Sequence, residues 1–152
     1  MKRLLSCLTV GVLLCAAVVA QQPVHSCNVN GAGIAIGGYD PVAYFVQGKA
    51  VEGQKNYNYS IDGATYYFSS AQNRDLFKSM PAKYRPQYGG WCAYAMGAKG
   101  EKVEVDPGTF KVLDGKLYLF YNKFFNNTLK SWNKDEAGLK TKADVNWTKQ
   151  NR

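Results

Sequence analysis

Histidine is almost missing from this chain. Of 152 residues only His25 is one, and no two of the four cysteines stand in a Cys-x-x-Cys spacing. Neighbouring residues therefore assemble neither a four-ligand zinc site nor a dithiol redox centre. A Cys–His nucleophile pair would need the segment around His25 to fold back onto a distant thiol, so no acid–base constellation forms and the chain reads as non-catalytic. Acidic residues are also few, eleven against nineteen basic ones, for a formal charge of +8. Lys123, Lys130, Lys134, Lys140, Lys142 and Lys149 are spread out rather than massed in one block. That pattern suits a solvated face and argues against a nucleic-acid partner, while the sign alone gives some attraction to anionic lipid or cell-wall polymer.

Long apolar runs are limited to one, Leu4 to Val19. It follows Met1-Lys2-Arg3, ends at Val18-Val19-Ala20 before Gln21-Gln22-Pro23, and is too short and wrongly flanked for a membrane span. We read residues 1–20 as a signal peptide cut after Ala20, which makes the protein secreted or periplasmic and not transmembrane once processed. Losing Lys2 and Arg3 lowers the charge from +8 to +6. Cys7 and Cys15 leave with the leader. Cys27 and Cys92 remain, and in an oxidising compartment the default for two cysteines is a disulfide, though their spacing does not decide it. Residues 21–33 read as a polar tail and 34–152 as one domain.

Within that domain Ile34 to Ile36 reads as a short strand. Asp40-Pro41 reads as a helix cap with proline at the first helical position. Tyr57–Ile61 and Thr65–Phe68 alternate around Asp62-Gly63, and Phe110–Leu113 and Lys116–Tyr121 flank Asp114-Gly115, so two hairpins are expected. Ser69-Ser70-Ala71-Gln72 reads as a capping box for a helix carrying Leu76, Phe77 and Met80 on one side, ended by Pro81. Val103-Glu104-Val105 leads to a turn at Asp106-Pro107-Gly108. A second helix is expected from about Asn122 with Phe125, Leu129 and Trp132 at helical spacing, and a third near the end with Leu139, Ala143 and Trp147. The hairpins match at an offset of 52 residues, Asp62-Gly63 with Asp114-Gly115, Tyr66 with Tyr118 and Phe68 with Phe120, as a degenerate duplication would. The expected class is α+β: a small antiparallel sheet built from two β-hairpins, each followed by a helix, with a C-terminal helical segment.

Tyr84 to Gly97 concentrates the chemistry. Gly89-Gly90 can take backbone conformations closed to other residues. Trp91 to Met96 then reads as a short helix stopped by Gly97, with Cys92 in its first turn, where a thiolate is favoured. Met96 lies four residues on, so thiol and thioether share a helical face and offer two soft donors suited to Cu(I). His25 and Cys27 could complete such a site. Asp40 carries a second reading as a cleft carboxylate beside its capping role. Tyr39, Tyr44, Tyr66, Tyr84, Tyr88 and Tyr94 offer flat apolar faces with polar tips for an organic ligand or a protein partner.

Several stretches in order carry a resemblance: Gly38-Tyr39-Asp40-Pro41-Val42-Ala43-Tyr44-Phe45, Gly63 to Ser70, Pro81-Ala82-Lys83-Tyr84, Gln87-Tyr88-Gly89-Gly90-Trp91-Cys92-Ala93-Tyr94, Asp114 to Leu119, and Ala143-Asp144-Val145-Asn146-Trp147. From about Ile34 to Trp147 the chain resembles the secreted YHS-domain proteins of bacteria. The resemblance implies a compact α+β domain, related by name to modules beside copper-transporting ATPases and some oxygenases, where metal binding has been proposed. It implies no enzyme. Two departures stand out: Tyr66-Tyr67-Phe68-Ser69 lacks the histidine of the family name, and the multi-cysteine pattern of the metal-associated relatives is absent, leaving Cys92 alone. The expected function is a non-catalytic binding module. Copper or another transition metal is its implied cofactor at Cys92, Met96, His25 and Cys27. One alternative is a small ligand or protein partner at Asp40, Tyr44, Tyr88, Trp91 and Tyr94, and another is a thiol redox role for Cys92.

Overall fold

Two Asp-Gly pairs set the frame. In the computed structural model, which describes residues 27–151, Asp62 and Gly63 take φ of 50° and 77°, and Asp114 and Gly115 take 51° and 70°. Two consecutive left-handed residues make the tight turn whose twist matches that of paired strands, and Asp-Gly adopts it readily. The chain runs α1 (Ala43–Val46), β1 (Gln54–Ile61), β2 (Ala64–Phe68), α2 (Ala71–Ser79), α3 (Pro81–Tyr84) and α4 (Ala93–Lys99). It continues through β3 (Asp106–Leu113), β4 (Lys116–Phe120), β5 (Asn122–Lys123), β6 (Asn126–Asn127), α5 (Thr128–Trp132) and α6 (Glu136–Gln150). The class is α+β as expected. The hairpins β1–β2 and β3–β4 remain separate two-stranded sheets, with β5–β6 a third, instead of joining into one.

The offset of 52 extends well beyond the hairpins. Gln54 pairs with Phe68 and Asn58 with Tyr67, with a bulge between; Asp106 pairs with Phe120 and Phe110 with Leu119, with the same bulge. Ile34 bridges Thr65 as Pro86 bridges Leu117. Ile36, Gly37 and Gly38 take φ of 55°, 59° and 88°, and Tyr88, Gly89 and Gly90 take 54°, 61° and 86°. Asp40 N–H donates to Val51 O and Cys92 N–H to Val103 O, both at 2.9 Å. The two halves are one backbone unit used twice, and Cys92 occupies the place of Asp40.

β4 divides the interior. Leu117 and Leu119 join a core with Val42, Tyr44, Tyr66, Phe68 and Phe77, while Tyr118 and Phe120 join a second core with Tyr88, Met96, Trp132, Leu139 and Ala143. Alternate strand residues face opposite sides, so a strand covered on both reads as an unbroken apolar run. Trp132 packs on Tyr118 and Phe120 as Phe77 packs on Tyr66 and Phe68.

Several expectations are corrected. Gly97 does not stop α4, which runs on to Lys99 and ends at Gly100 with φ of 70°. A Cβ at position 97 would lie 2.5 Å from Leu139 O, so this glycine exists to let α6 come close. Asp106-Pro107-Gly108 is the bulged start of β3 and not a free turn. The helix expected at Asn122 begins only at Thr128, and Phe125 stands 111% exposed in place of packing. Met80 is exposed too. Ser70, and not Ser69, caps α2 by accepting from Asn73 N–H at 3.1 Å. The described part of the 21–33 tail is fastened down, with Asn28 N–H donating to Gly89 O at 2.8 Å and Val29 bridging Ala35. The leader and His25 lie outside the described residues. No helix among the described residues is long and apolar enough to cross a membrane.

Candidate functional site

Equivalent positions in the two halves have different fates. Asp40 is fully buried, and its carboxylate accepts from Val42 N–H (2.8 Å), Ala43 N–H (3.3 Å), Ser69 N–H (2.8 Å), Ser69 Oγ (2.6 Å) and Asn73 Nδ2 (2.7 Å). Those donors cap α1 and fasten it to the start of α2. A buried carboxylate so fully engaged is a fastening point and leaves no lone pair facing a ligand. The cleft reading of Asp40 gives way to the capping one.

Cys92 precedes α4 in the same way and is also fully buried. Tyr121 N–H donates to its Sγ at 3.3 Å, which is the counterpart of Ser69 N–H on Asp40. Thr128 Oγ1 lies 3.4 Å from Sγ and donates its own proton to Tyr121 O at 2.9 Å. With that proton engaged, the thiol S–H donates to Thr128, and the three groups close a small hydrogen-bonded ring.

Thr128 takes the place of Asn73, and Trp132 that of Phe77, so the offset grows from 52 to 55 between β4 and α5. The three extra residues fall in the stretch after Tyr121 that makes the β5–β6 hairpin, and α5 has five residues where α2 has nine. A cavity of about 350 Å³ opens over the thiol. Ala95, Ala98, Val103 and the tyrosines Tyr94 and Tyr121 give it apolar walls; Lys99, Glu101, Asn126 and Thr128 add polar groups, and Cys92 lies in its floor.

The residues singled out from sequence scatter around this cavity. Cys92 and Tyr94 line it. Met96 does not: it is fully buried in the second core, and its Sδ is approached by Gln150 Nε2 at 3.7 Å. Cys27 is half-buried with its Sγ 3.9 Å from Arg85 Nη2, a guanidinium that also pairs with Asp62. Both cysteines are free thiols, so the disulfide default does not hold. Tyr44 is buried, and its hydroxyl donates to Pro107 O at 2.9 Å. Burial pushes that phenol well above its ordinary range, with nearby Tyr39 and Asp106 adding to the effect. Tyr88 holds a positive φ, and its hydroxyl donates to Asp144 Oδ1 at 2.8 Å; burial first and that bond second push it up as well. Trp91, partly exposed, follows the Gly89-Gly90 turn and donates its N–H to Tyr88 O. Tyr121 and Thr128 escaped the sequence reading. Carrying the 52-residue offset from Asp40 to Cys92 and from Ser69 to Tyr121 would have found the first; the insertion hides the second.

A transition metal fits these residues poorly. No cluster of three or more histidine, cysteine or acidic groups occurs among the described residues. Met96 Sδ lies outside the cavity lining, and Cys27 faces a positive charge. One thiol and a threonine hydroxyl do not make a tight metal site.

Comparison with the curated proteins and with the solved structures returned no match. A family profile does match, over a span that runs from α1 through both strands of the first hairpin to the turn before Cys92. Residues 42–88 of this chain are similar to the YHS domain.

Proposed function

We propose that this protein is a non-catalytic binding module whose ligand is a small organic molecule held in the cavity over Cys92. One observation carries the reading: where the first half encloses Asp40 with donors, the second half has a ligand-sized cavity over the equivalent residue. Its volume of about 350 Å³ falls within the range of roughly 300–1,000 Å³ usual for small-molecule sites. Apolar walls with a few polar groups suit a compact ligand with a flat apolar body and one or two polar substituents. Lys99 and Asn126 supply donors for an acceptor group, and Tyr94 and Tyr121 offer ring faces. The buried Cys92 sulfur contributes a soft, polarisable contact.

Copper, the ligand implied by the family resemblance, ranks second because the sulfur donors do not converge. A redox role for Cys92 ranks below that, since the other thiol among the described residues, Cys27, lies against Arg85 and not at Cys92. The proposal includes export, which rests on the sequence of the leader.

Anilinonaphthalene sulfonate, an apolar aromatic anion, tests the cavity. Its fluorescence should rise on the native protein and fall away in Ala95→Phe, where the new ring fills the cavity. Equal dye binding by Ala95→Phe would contradict the assignment.

A further inference from the structure

The β5–β6 hairpin presents Phe124 and Phe125 as its two turn residues, 87% and 111% exposed. Both take positive φ, 52° and 61°. Turns of this kind favour asparagine, aspartate and glycine, and a bulky side chain there is strained. The first half of the molecule builds the same unit without this insertion, so the fold does not need it. Two large apolar side chains held in a strained, solvated turn contribute nothing to the core.

The charged residues of the surrounding segment are all basic. From Tyr121 to Lys134 the chain carries Lys123, Lys130 and Lys134, all exposed, and no carboxylate. The cavity that Asn126 also lines carries one exposed residue of each sign, Lys99 and Glu101, so the basic excess comes from the lysines of the hairpin segment itself. The apolar area is convex and only two residues wide, and the other exposed large apolar residues, Val46, Met80, Val112 and Val145, belong to other segments. A specific protein interface usually needs about 1,000 Å² or more with matched shape. A fluid anionic interface needs neither, because it accepts a protruding ring pair and pays its phosphates to neighbouring lysines.

We infer that the Phe124–Phe125 tip inserts into an anionic lipid surface, with Lys123 and its neighbours on the headgroups. The inference stands apart from what the cavity holds. Because Asn126 belongs to both hairpin and cavity lining, docking in this way sets the cavity mouth next to the bilayer.

The test is co-sedimentation with vesicles of phosphatidylcholine containing about one-third phosphatidylglycerol. It uses the chain from Gln21 onward, which keeps every described element and omits the apolar leader. Wild type should partition onto these vesicles, more weakly onto pure phosphatidylcholine, and less as salt rises. Phe124→Ser with Phe125→Ser should reduce the partition coefficient roughly tenfold or more, since two rings lose their apolar transfer. Lys123→Glu should reduce it several-fold on the anionic vesicles only. The serine pair should unfold at the wild-type temperature because the rings support nothing, which separates loss of docking from loss of fold. Wild type that fails to bind the anionic vesicles, as it would if the tip served a protein partner, overturns the inference. So does a serine double variant that binds as wild type does.

Discussion

Replacing Gly97 by alanine sets two effects of opposite sign against each other. Alanine is the better helix former, which alone would stabilise α4 by about 1 kcal/mol. Against that, the added methyl would meet Leu139 O at 2.5 Å, Leu139 C at 3.1 Å and Leu139 Cα at 3.3 Å. These are backbone atoms of α6 and cannot turn aside as a side chain would. The helix must move, and it carries the buried Leu139 and Ala143, the Tyr88–Asp144 hydrogen bond, and the Asn146 Nδ2 donation to Met96 O at 2.8 Å. Overpacking of this kind costs about 1–3 kcal/mol, and a loosened buried hydrogen bond adds about 1 kcal/mol. We expect Gly97→Ala to be destabilised by about 1–3 kcal/mol net. Urea denaturation should show a lower midpoint, by roughly half to one and a half molar, with an unchanged slope. An alanine variant as stable as wild type, or more so, would refute the packing of α4 on α6.

Asp40→Asn should lose about 2–4 kcal/mol, because an amide cannot accept from all the donors that converge on the carboxylate; a loss below about 0.5 kcal/mol would show that the network is dispensable. Glu136 gives an acid-range effect. The Lys111 ammonium bonded to it, followed by the Trp132 indole N–H at 3.0 Å, holds its carboxyl below the usual range. A depressed folded-state value means the stabilisation is complete above the ordinary glutamate value of about 4.3 and is lost as pH falls through the folded one. Glu136→Gln should therefore flatten the acid limb of a stability-against-pH curve, and parallel wild-type and variant curves would count against it. Trp132→Ala, emptying a fully buried site between Tyr118 and Phe120, should cost about 3–5 kcal/mol by urea denaturation.

Strong local signals read correctly. The Asp-Gly turns fixed both hairpins because few other pairs tolerate two positive φ values in succession. Asp40-Pro41 announced its cap, and the 52-residue offset announced a duplication that the backbone carries much further than the side chains do. What failed was whatever depended on tertiary context. Phe125, Leu129 and Trp132 have helical spacing, yet the three-residue insertion turns Phe125 out into solvent. Gly97 looks like a helix stop until a second helix is found against it. Met96 shares a helical face with Cys92 by spacing, but the core around Trp132 and Leu139 claims it. The cavity is invisible in the sequence because its walls come from α4, from Val103 and Tyr121, and from Asn126 and Thr128, which only the folded chain brings together.

Whether a ligand occupies the cavity over Cys92 is tested most directly by protection of that thiol. In a Cys27→Ser background, which leaves Cys92 as the only thiol of the chain from Gln21 onward, alkylation by iodoacetamide should be slow in the native state because the residue is fully buried. At a concentration of anilinonaphthalene sulfonate ten times its dissociation constant, the rate should fall by about another tenfold as the cavity fills. Dye that binds to saturation while Cys92 alkylates at an unchanged rate would place the ligand elsewhere and contradict the account.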